Sequence, residues 1–281
     1  PPNTVSGASP ARIIDTRPVW ESAPTGCAEH PNVSYLAAPL QRLRRLPQDP
    51  LLKQWSDLKS FEIKSSEREG KSLVALVATS PASVEALQGM PVFCEELAKG
   101  FSQKPTLFAV GPGSASSLAA WASLYGLDPL VTAPPQGSGV EAFLQLFHAD
   151  TNRATHEANT LYVLLESTTN QPDLAQGLYN NGLRVARFGV YERIEHPLQL
   201  MPTRLAASLV FVVVSSSALV ARAVEGLASQ GLAPQKAHWF CHHIKIMESL
   251  KKANLPLVHQ LTDLAPSRII AKVIELSRMN D

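Results

Sequence analysis

The sequence predicts an α/β protein built from parallel sheets flanked by helices, and three observations carry that reading. Strand-like apolar runs alternate with helix-like segments through most of the 281 residues. Three segments repeat one design: SLVALVATSPASVEAL (72–87), TLFAVGPGSASSL (106–118) and SLVFVVVSSSALVARA (208–223). Each is an apolar strand, a tight run of Ser, Thr, Gly or Pro, and a helix opening on small residues. Gly126, Gly182 and Gly231 stand just past periodic stretches, where helices end. The repeated design collects backbone N–H groups and hydroxyls at helix N-termini, beyond the carboxyl ends of parallel strands. Unpaired N–H groups and the helix dipole make such ends attractive to polar or anionic ligands.

Taken in order, RIIDT (12–16) is a short strand stopped by Arg17-Pro18, and 33–40 is a second extended piece. The basic stretch QRLRRL (41–46) follows it. Apolar runs predict further strands at 73–79, 107–110, 161–166, 185–191, 209–214, 237–241 and 256–259. Helices are expected between them at 82–90, 114–125, 139–147, 172–181, 217–229, 244–253 and 265–276. APPQGSG (133–139) reads as a loop, and PPNTVSGASP (1–10) as a loose N-terminal tail.

A chain of 281 residues has room for two domains of ordinary size. Apolar residues make up 45% and charged residues 17%, a globular mix without the signature of disorder. The net charge of +1 supplies no global field toward nucleic acid or membrane, so local donors must hold any anion. Cys27, Cys94 and Cys241 are odd in number and widely spaced, which argues against a disulfide framework and for a reducing compartment. The apolar run 209–214 is far shorter than the ~18 residues of a membrane span.

Several short motifs invite specific chemistry. GPGSAS (111–116) follows a strand and opens a helix as a dinucleotide fingerprint does, yet it lacks the third glycine and the later acidic partner. It reads as a tight turn, with contact to a ligand as the functional alternative. Cys241-His242-His243 has neither helical ligand spacing nor a second pair elsewhere, so a polar strand end is favoured over a metal site. Ser215-Ser216-Ser217 lacks the G-x-S-x-G elbow and reads as a helix cap. Arg42, Arg44 and Arg45 form a solvated face near a connection, without the aromatics that nucleic-acid binding wants. Lys251-Lys252 suits the negative end of a helix. Tyr191 ends an apolar strand before Glu192-Arg193, as a strand-edge aromatic or a phenol facing a ligand.

The order of these motifs resembles the uroporphyrinogen-III synthase family. RIIDTRPVWES (12–22) is similar to the family's opening strand and T-R-P turn, and VALVATSPASVEA (74–86) to its strand, T-S-P and V-E-A segment. FAVGPGSASSL (108–118) with Gly126-Leu127 resembles its V-G-x-x-T-A element; 175–191 resembles its run ending V-x-x-Y, and 209–217 its strand and S-x-S turn. The likeness extends from Arg12 to Leu276. Three departures stand out. CHHIKIM (241–247) replaces a small, hydroxyl-bearing G-P-T-T-A turn, Ser114 replaces a Thr, and Glu166-Ser167 replaces a small-residue and Gly turn. The chain is a divergent member on this reading.

The resemblance implies a discontinuous first domain of 11–36 plus 197–281 and a second of 41–190. A two-stranded hinge near 33–40 and 185–193 joins them, with a ligand cleft between. It implies cyclisation of hydroxymethylbilane to uroporphyrinogen III with ring D inverted, in tetrapyrrole biosynthesis, by a lyase without cofactor or metal. Departure of the substrate hydroxyl as water gives an azafulvene cation, ring D attacks, and a spiro intermediate fragments before the ring closes. Such a site works mainly by orienting the bilane. Tyr191 is the expected catalytic residue. Thr79, Ser80, Ser83, Gly113, Ser114, Ser215 and Ser217 are expected to line the cleft, and Arg17, Arg187 and Lys236 to contact carboxylates. A monomer without nucleic-acid or membrane partners is expected, in the cytoplasm or in an organelle such as a plastid. Two alternatives remain open here: a protein of the same fold that binds a tetrapyrrole or other anion without turnover, and an α/β interaction module.

Overall fold

The computed structural model describes residues 10–23, 27–30, 32–69, 73–101, 105–135, 137, 139–148, 160–169, 173–201 and 209–279. Residues 1–9 of the expected tail, Gln136 and Ser138 of the expected loop, and Ser72, Pro172 and Ser208 lie outside the described residues. The chain divides into two compact units, Pro1–Leu43 with Ile194–Asp281, and Arg44–Arg193.

The first unit opens with β1 (Ala11–Asp15), β2 (Val19–Trp20), β3 (Cys27–His30) and β4 (Val33–Ala37). Then β5 (Gln41–Arg45) leads into the second unit. There follow α1 (Gln48–Glu69), β6 (Leu73–Ala78), α2 (Pro81–Leu87), α3 (Pro91–Lys99), β7 (Thr106–Ala109) and α4 (Pro112–Leu124). The unit continues through β8 (Val131–Thr132), α5 (Val140–His148), β9 (Thr160–Ser167) and α6 (Asp173–Asn180). The long β10 (Arg184–Glu195) returns the chain to the first unit. That unit ends with β11 (Leu209–Val213), a 3-10 turn at Ser217–Leu219, α7 (Val220–Ser229) and a second 3-10 turn at Pro234–Lys236. Last come β12 (His238–Cys241), α8 (Ile244–Lys252), β13 (Val258–Gln260) and α9 (Pro266–Arg278).

In the first unit the strand order is β13-β12-β11-β1-β4-β3, parallel except for β3. Side chains alternate between faces along each strand, so adjacent apolar residues serve different cores. Ile14, Leu36, Val212 and Trp239 pack with Ala223 and Leu227 of α7 and Leu250 of α8. Ile13, Phe211, Val213 and Phe240 face the other way, with Ile269 and Val273 of α9. A parallel sheet covered on both faces needs such continuous apolar runs, which is why LVFVV is unbroken.

The second unit stacks parallel strands in the order β10-β9-β6-β7-β8. All eight residues of β9 are buried, as befits a strand with neighbours on both sides and helices on both faces. On one face Val77, Phe108, Tyr162 and Leu164 pack with Phe143 of α5 and Leu178 of α6. Elsewhere Phe188 of β10 meets Trp55 of α1 edge-on at 6.1 Å and stacks on Phe93 of α3 at 5.9 Å.

The expected strands and helices form near their expected positions, and Gly126, Gly182 and Gly231 take φ of 69°, 76° and 75° past α4, α6 and α7. The differences have physical causes. Helix α1 escaped the periodicity reading because, among its described side chains, just Leu51 and Trp55 are buried, one turn apart on a charged surface. The nine residues of α3 begin at Pro91, behind the N-cap Met90, and restart a helix where the one expected at 82–90 ends. The basic stretch at 41–46 is mostly the strand β5, which keeps Arg44 exposed and Arg42 and Arg45 half-buried around the buried Leu43. The first crossing between units accordingly falls in β5, not at 33–40. Val33 and Leu36 are committed to the two cores of the first sheet, so β4 is no connector.

One pair in this fold responds to pH. His238 stacks on Phe211 with ring centroids 4.8 Å apart, and its Nδ1 lies 3.0 Å from Nε2 of His259. Burial lowers the pKa of both imidazoles, and the charge of His238 adds to the lowering at His259. Unfolded imidazoles take up protons near their ordinary pKa while the folded ones resist, so acidification favours unfolding. The urea midpoint should therefore fall between pH 7 and pH 5, and His238→Phe, which keeps the stack and removes one titrating ring, should shrink that fall. An identical fall in the variant would contradict the assignment.

Candidate functional site

The turns beyond β6, β7 and β9 gather most of the expected residues of the second unit at one end of its sheet. Thr79 is tied to β9, its N–H and Oγ1 both donating to the Leu165 carbonyl, at 3.3 and 2.8 Å. Ser80 takes the extended backbone of an N-cap, and Pro81, with no N–H to satisfy, starts α2. The Oγ of Ser80 accepts from the Ser83 N–H at 3.1 Å, while the buried Ser83 hydroxyl donates to the Ser80 carbonyl at 2.7 Å. This is a capping box with Ser in place of the usual Glu or Gln. The hydroxyls of Thr79 and Ser83 are thus structural.

Helix α4 differs. Its N-cap is Gly111, which brings no side chain, and Pro112 occupies the first position. The N–H groups of Gly113 and Ser114 meet no acceptor among the described residues. A Cβ on Gly113 would lie 3.3 Å from Pro81 Cγ, so the starts of α2 and α4 abut. Ser114 is buried one residue further on. This helix start is the neutral, uncapped donor set that the sequence reading expected.

Tyr191 reaches the same turns through an irregularity in β10. Pairing with β9 shifts register between Gly189 and Tyr191. A Cβ on Gly189 would sit 2.5 Å from Thr168 Cγ2, so glycine permits this close approach. Tyr191 is fully buried, its carbonyl accepts from Thr168 N–H at 2.9 Å, and its hydroxyl lies 3.2 Å from Ser80 Oγ. Arg193 Nη2 donates to the phenol oxygen at 3.2 Å, with its guanidinium carbon 5.9 Å from the ring. Arg193 was not among the expected site residues; the signal that could have found it is its place two residues beyond Tyr191, on the same strand face.

Arg187 does not stand as a free cation. It is ion-paired with Glu166, buried near the end of β9. Burial raises the Glu166 carboxyl above its ordinary pKa, and the hydrogen bond and charge of Arg187 offset part of that. Beyond it, Ser167 Oγ accepts from Thr169 N–H at 3.3 Å, and their hydroxyl oxygens are 2.8 Å apart.

The first unit holds the remaining candidates. Ser215 is half-buried in the turn after β11, Ser216 stands at the N-cap without a side-chain bond, and exposed Ser217 opens the 3-10 turn. Arg17 is a structural brace. Its Nη2 meets Asp15 Oδ2 at 2.6 Å and Tyr35 Oη at 3.1 Å, and its Nη1 donates to the Leu264 carbonyl at 2.6 Å. The Tyr35 hydroxyl also donates to Asp15. Burial pulls the Arg17 pKa down, but the hydrogen bond and charge of Asp15 more than reverse that. Burial, and then Asp15, raises the phenol of Tyr35.

Lys236 is a correction. It precedes β12, which runs parallel to β11, with Phe211 opposite His238. Lys236 therefore sits at the entering end of the sheet, whereas Ser215 lies beyond the leaving end, since parallel strands place all their C-terminal turns together. The divergent 241–247 segment is a buried Cys241, a His turn and the start of α8, where His243 Nδ1 accepts from Lys245 N–H at 3.1 Å as an N-cap. An imidazole does there what a small hydroxyl would do. Among the described residues there is no group of three or more His, Cys, Asp or Glu able to hold a metal, and no helix long and apolar enough to cross a membrane.

Two outcomes test this arrangement. Ser80→Ala removes a cap and should cost about 1 kcal/mol in urea unfolding. Because the folded Glu166 carboxyl holds its proton to higher pH than the unfolded one, the contribution of Glu166 to stability is lost as pH rises from 4 through that raised pKa. Glu166→Gln leaves the half-exposed Arg187 to water and should gain on the wild type between pH 4 and pH 7.5. A constant difference between the two proteins across that range would remove the assigned shift.

The model of the family HEM4, uroporphyrinogen-III synthase HemD, matches residues 55–261. A mutant uroporphyrinogen III synthase from the extremely thermophilic bacterium Thermus thermophilus superposes with a TM-score of 0.56 at 14% identity, covering 96% of this chain and 100% of its own. Uroporphyrinogen-III synthetase from Helicobacter pylori superposes with a TM-score of 0.50 at 13% identity, covering 92% and 98%. At such identities the two structures show a shared fold. No curated protein matches the chain in sequence. The family match spans more than half of the 281 residues, and the chain belongs to the uroporphyrinogen-III synthase family.

Proposed function

We propose that Tyr191 and Ser80 deliver the proton in the reaction of this family, closure of hydroxymethylbilane to uroporphyrinogen III in tetrapyrrole biosynthesis. The observation that carries the assignment is the contact of their hydroxyls at 3.2 Å, next to the uncapped start of α4. Arg193 donates to the phenol oxygen and the Ser83 N–H to Ser80 Oγ. A hydroxyl proton of this pair is the one assigned to the leaving group. The carbon–oxygen bond of the hydroxymethyl group breaks, the oxygen leaves as water with that proton, and an azafulvene cation remains. The substituted carbon of ring D attacks it, the spiro intermediate fragments and recloses, and the proton finally lost from the ring restores the hydroxyl pair.

The overall change is a loss of water, the chemistry of a lyase. The N–H groups of Gly113 and Ser114 and the hydroxyl of Ser114 are assigned to substrate carboxylates in the second unit, and Ser215 and Ser217 in the first. Arg17 and Arg187 hold Asp15 and Glu166 and act by fixing those turns. Thr79 and Ser83 keep structural hydroxyls while their backbone shapes the wall. Orientation of the bilane selects the attack that inverts ring D, because closure without inversion needs no protein. A monomer in the cytoplasm, or in an organelle, is the setting we assign.

Incubation with fresh hydroxymethylbilane, oxidation and separation of the uroporphyrin isomers should give the type III product. Only the type I isomer of the blank would sink the enzymatic reading and favour a tetrapyrrole-binding protein of the same fold, which the His243 cap at the divergent turn would suit. Tyr191→Phe should lower kcat by roughly tenfold or more in a protein that still folds cooperatively. Unaltered turnover would take Tyr191 out of the mechanism.

A further inference from the structure

Where the chain leaves and rejoins the first unit, two segments meet. Ala38-Pro39-Leu40 leads from β4 into β5, and His196-Pro197 follows the end of β10; the His196 N–H donates to the Leu40 carbonyl at 2.9 Å. A pocket of about 280 Å³ opens beside this contact. Its apolar wall is Ala37, Ala38, Pro39 and Met201, and its polar side is Arg42, His196 and Gln199. All seven belong to the first unit.

The polar side is uncommitted to the fold. Arg17, Arg44, Arg187 and Arg222 each hold a carboxylate, at Asp15, Glu192, Glu166 and Glu195. Arg42 holds none among the described residues: its hydrogen bond there runs from Nη1 to the Glu21 carbonyl at 3.5 Å, the outer limit of such a bond. Its Nε is buried without an acceptor among the described residues, out of a ligand's reach, so Nη1 and Nη2 are what it offers, and that planar pair matches the two oxygens of one carboxylate. The Gln199 carboxamide is exposed and has no hydrogen-bond partner among the described residues. His196 spends Nδ1 on the Pro197 carbonyl at 2.9 Å and adds its ring to the lining.

We propose that this pocket binds a small organic carboxylate, its acid group on the fork of Arg42 and the carboxamide of Gln199, its ring or chain against Pro39 and Met201. Few polar groups on an otherwise apolar concavity is the composition of a ligand site. The acid has two possible sources, a side chain of the tetrapyrrole or a free small acid of similar shape. The first source rests on the function proposed above; affinity for the carboxylate does not.

The test is a titration of the 15N-labelled full chain with pyrrole-2-carboxylate, followed by amide shifts, with pyrrole-2-carboxamide as the uncharged control. The acid should move the amides of Ala37, Ala38 and Gln199 saturably, and the carboxamide should bind about tenfold more weakly or worse. Arg42→Gln should weaken the acid about tenfold. Gln199→Ala, at an exposed position, should weaken it several-fold at an unchanged unfolding midpoint. No saturable shift, equal affinity for acid and carboxamide, or wild-type affinity in both variants overturns the proposal. Steady-state kinetics of Arg42→Gln then separate the sources. A raised KM at constant kcat identifies the side chain of the tetrapyrrole, and an unchanged KM with acid binding lost identifies a free acid. A protein that binds the acid but makes no type III product would fail the functional reading and keep this one.

Discussion

Parallel pairing is the constraint from which the rest of this structure follows. Each parallel connection must travel back along the sheet before the next strand begins, and a helix over one face is the compact way to do it. Both faces are then covered, which demands the unbroken apolar runs of β6, β9 and β11. The same constraint sends every strand-to-helix turn of a unit to one end of its sheet. The turns at Thr79-Ser80, Gly111-Gly113 and Thr168 are therefore neighbours although they are far apart in sequence. A polar site assembles there because the backbone groups of helix starts cannot be satisfied within their own helices.

Within that end of the second unit, polar groups divide into those the fold uses and those it leaves over. Thr79 and Ser83 close local hydrogen bonds that fix the turn, and Arg187 neutralises a carboxylate buried at the end of β9. Gly111 leaves the start of α4 without a side-chain cap. Tyr191 is placed by a bulge that needs Gly189, and its hydroxyl links the cap of α2 to Arg193. The first unit shows the same economy, with Arg17 bound to Asp15, Tyr35 and Leu264 while Arg42 keeps an unused nitrogen.

Much of the fold was legible because burial writes itself into apolar periodicity. LVALVA, TLYVLLES and LVFVV could hardly be anything but buried strands. What escaped was held by few contacts or by neighbours distant in sequence. Helix α1 is anchored by Leu51 and Trp55, and the Trp55 partners include Phe101, Phe188 and the Glu96 carbonyl. Strand β5 reads as a basic face because Gln41, Arg42, Arg44 and Arg45 surround its single buried residue, Leu43.

The residues of the site were legible by type, and their commitments were not. By itself the sequence determined the α/β class, the strand–turn–helix units, the glycines that end helices and the family to which the chain belongs. These are local or periodic properties, carried by apolar spacing, glycine and short motifs. Tertiary structure alone decided that Arg17 is a brace, that Lys236 faces the entering end of its sheet, and that Tyr191 meets Ser80. A side chain's partner depends on register, bulge and crossover, which bring together residues 111 positions apart in Ser80 and Tyr191 and 247 apart in Arg17 and Leu264. No local pattern records such a distance.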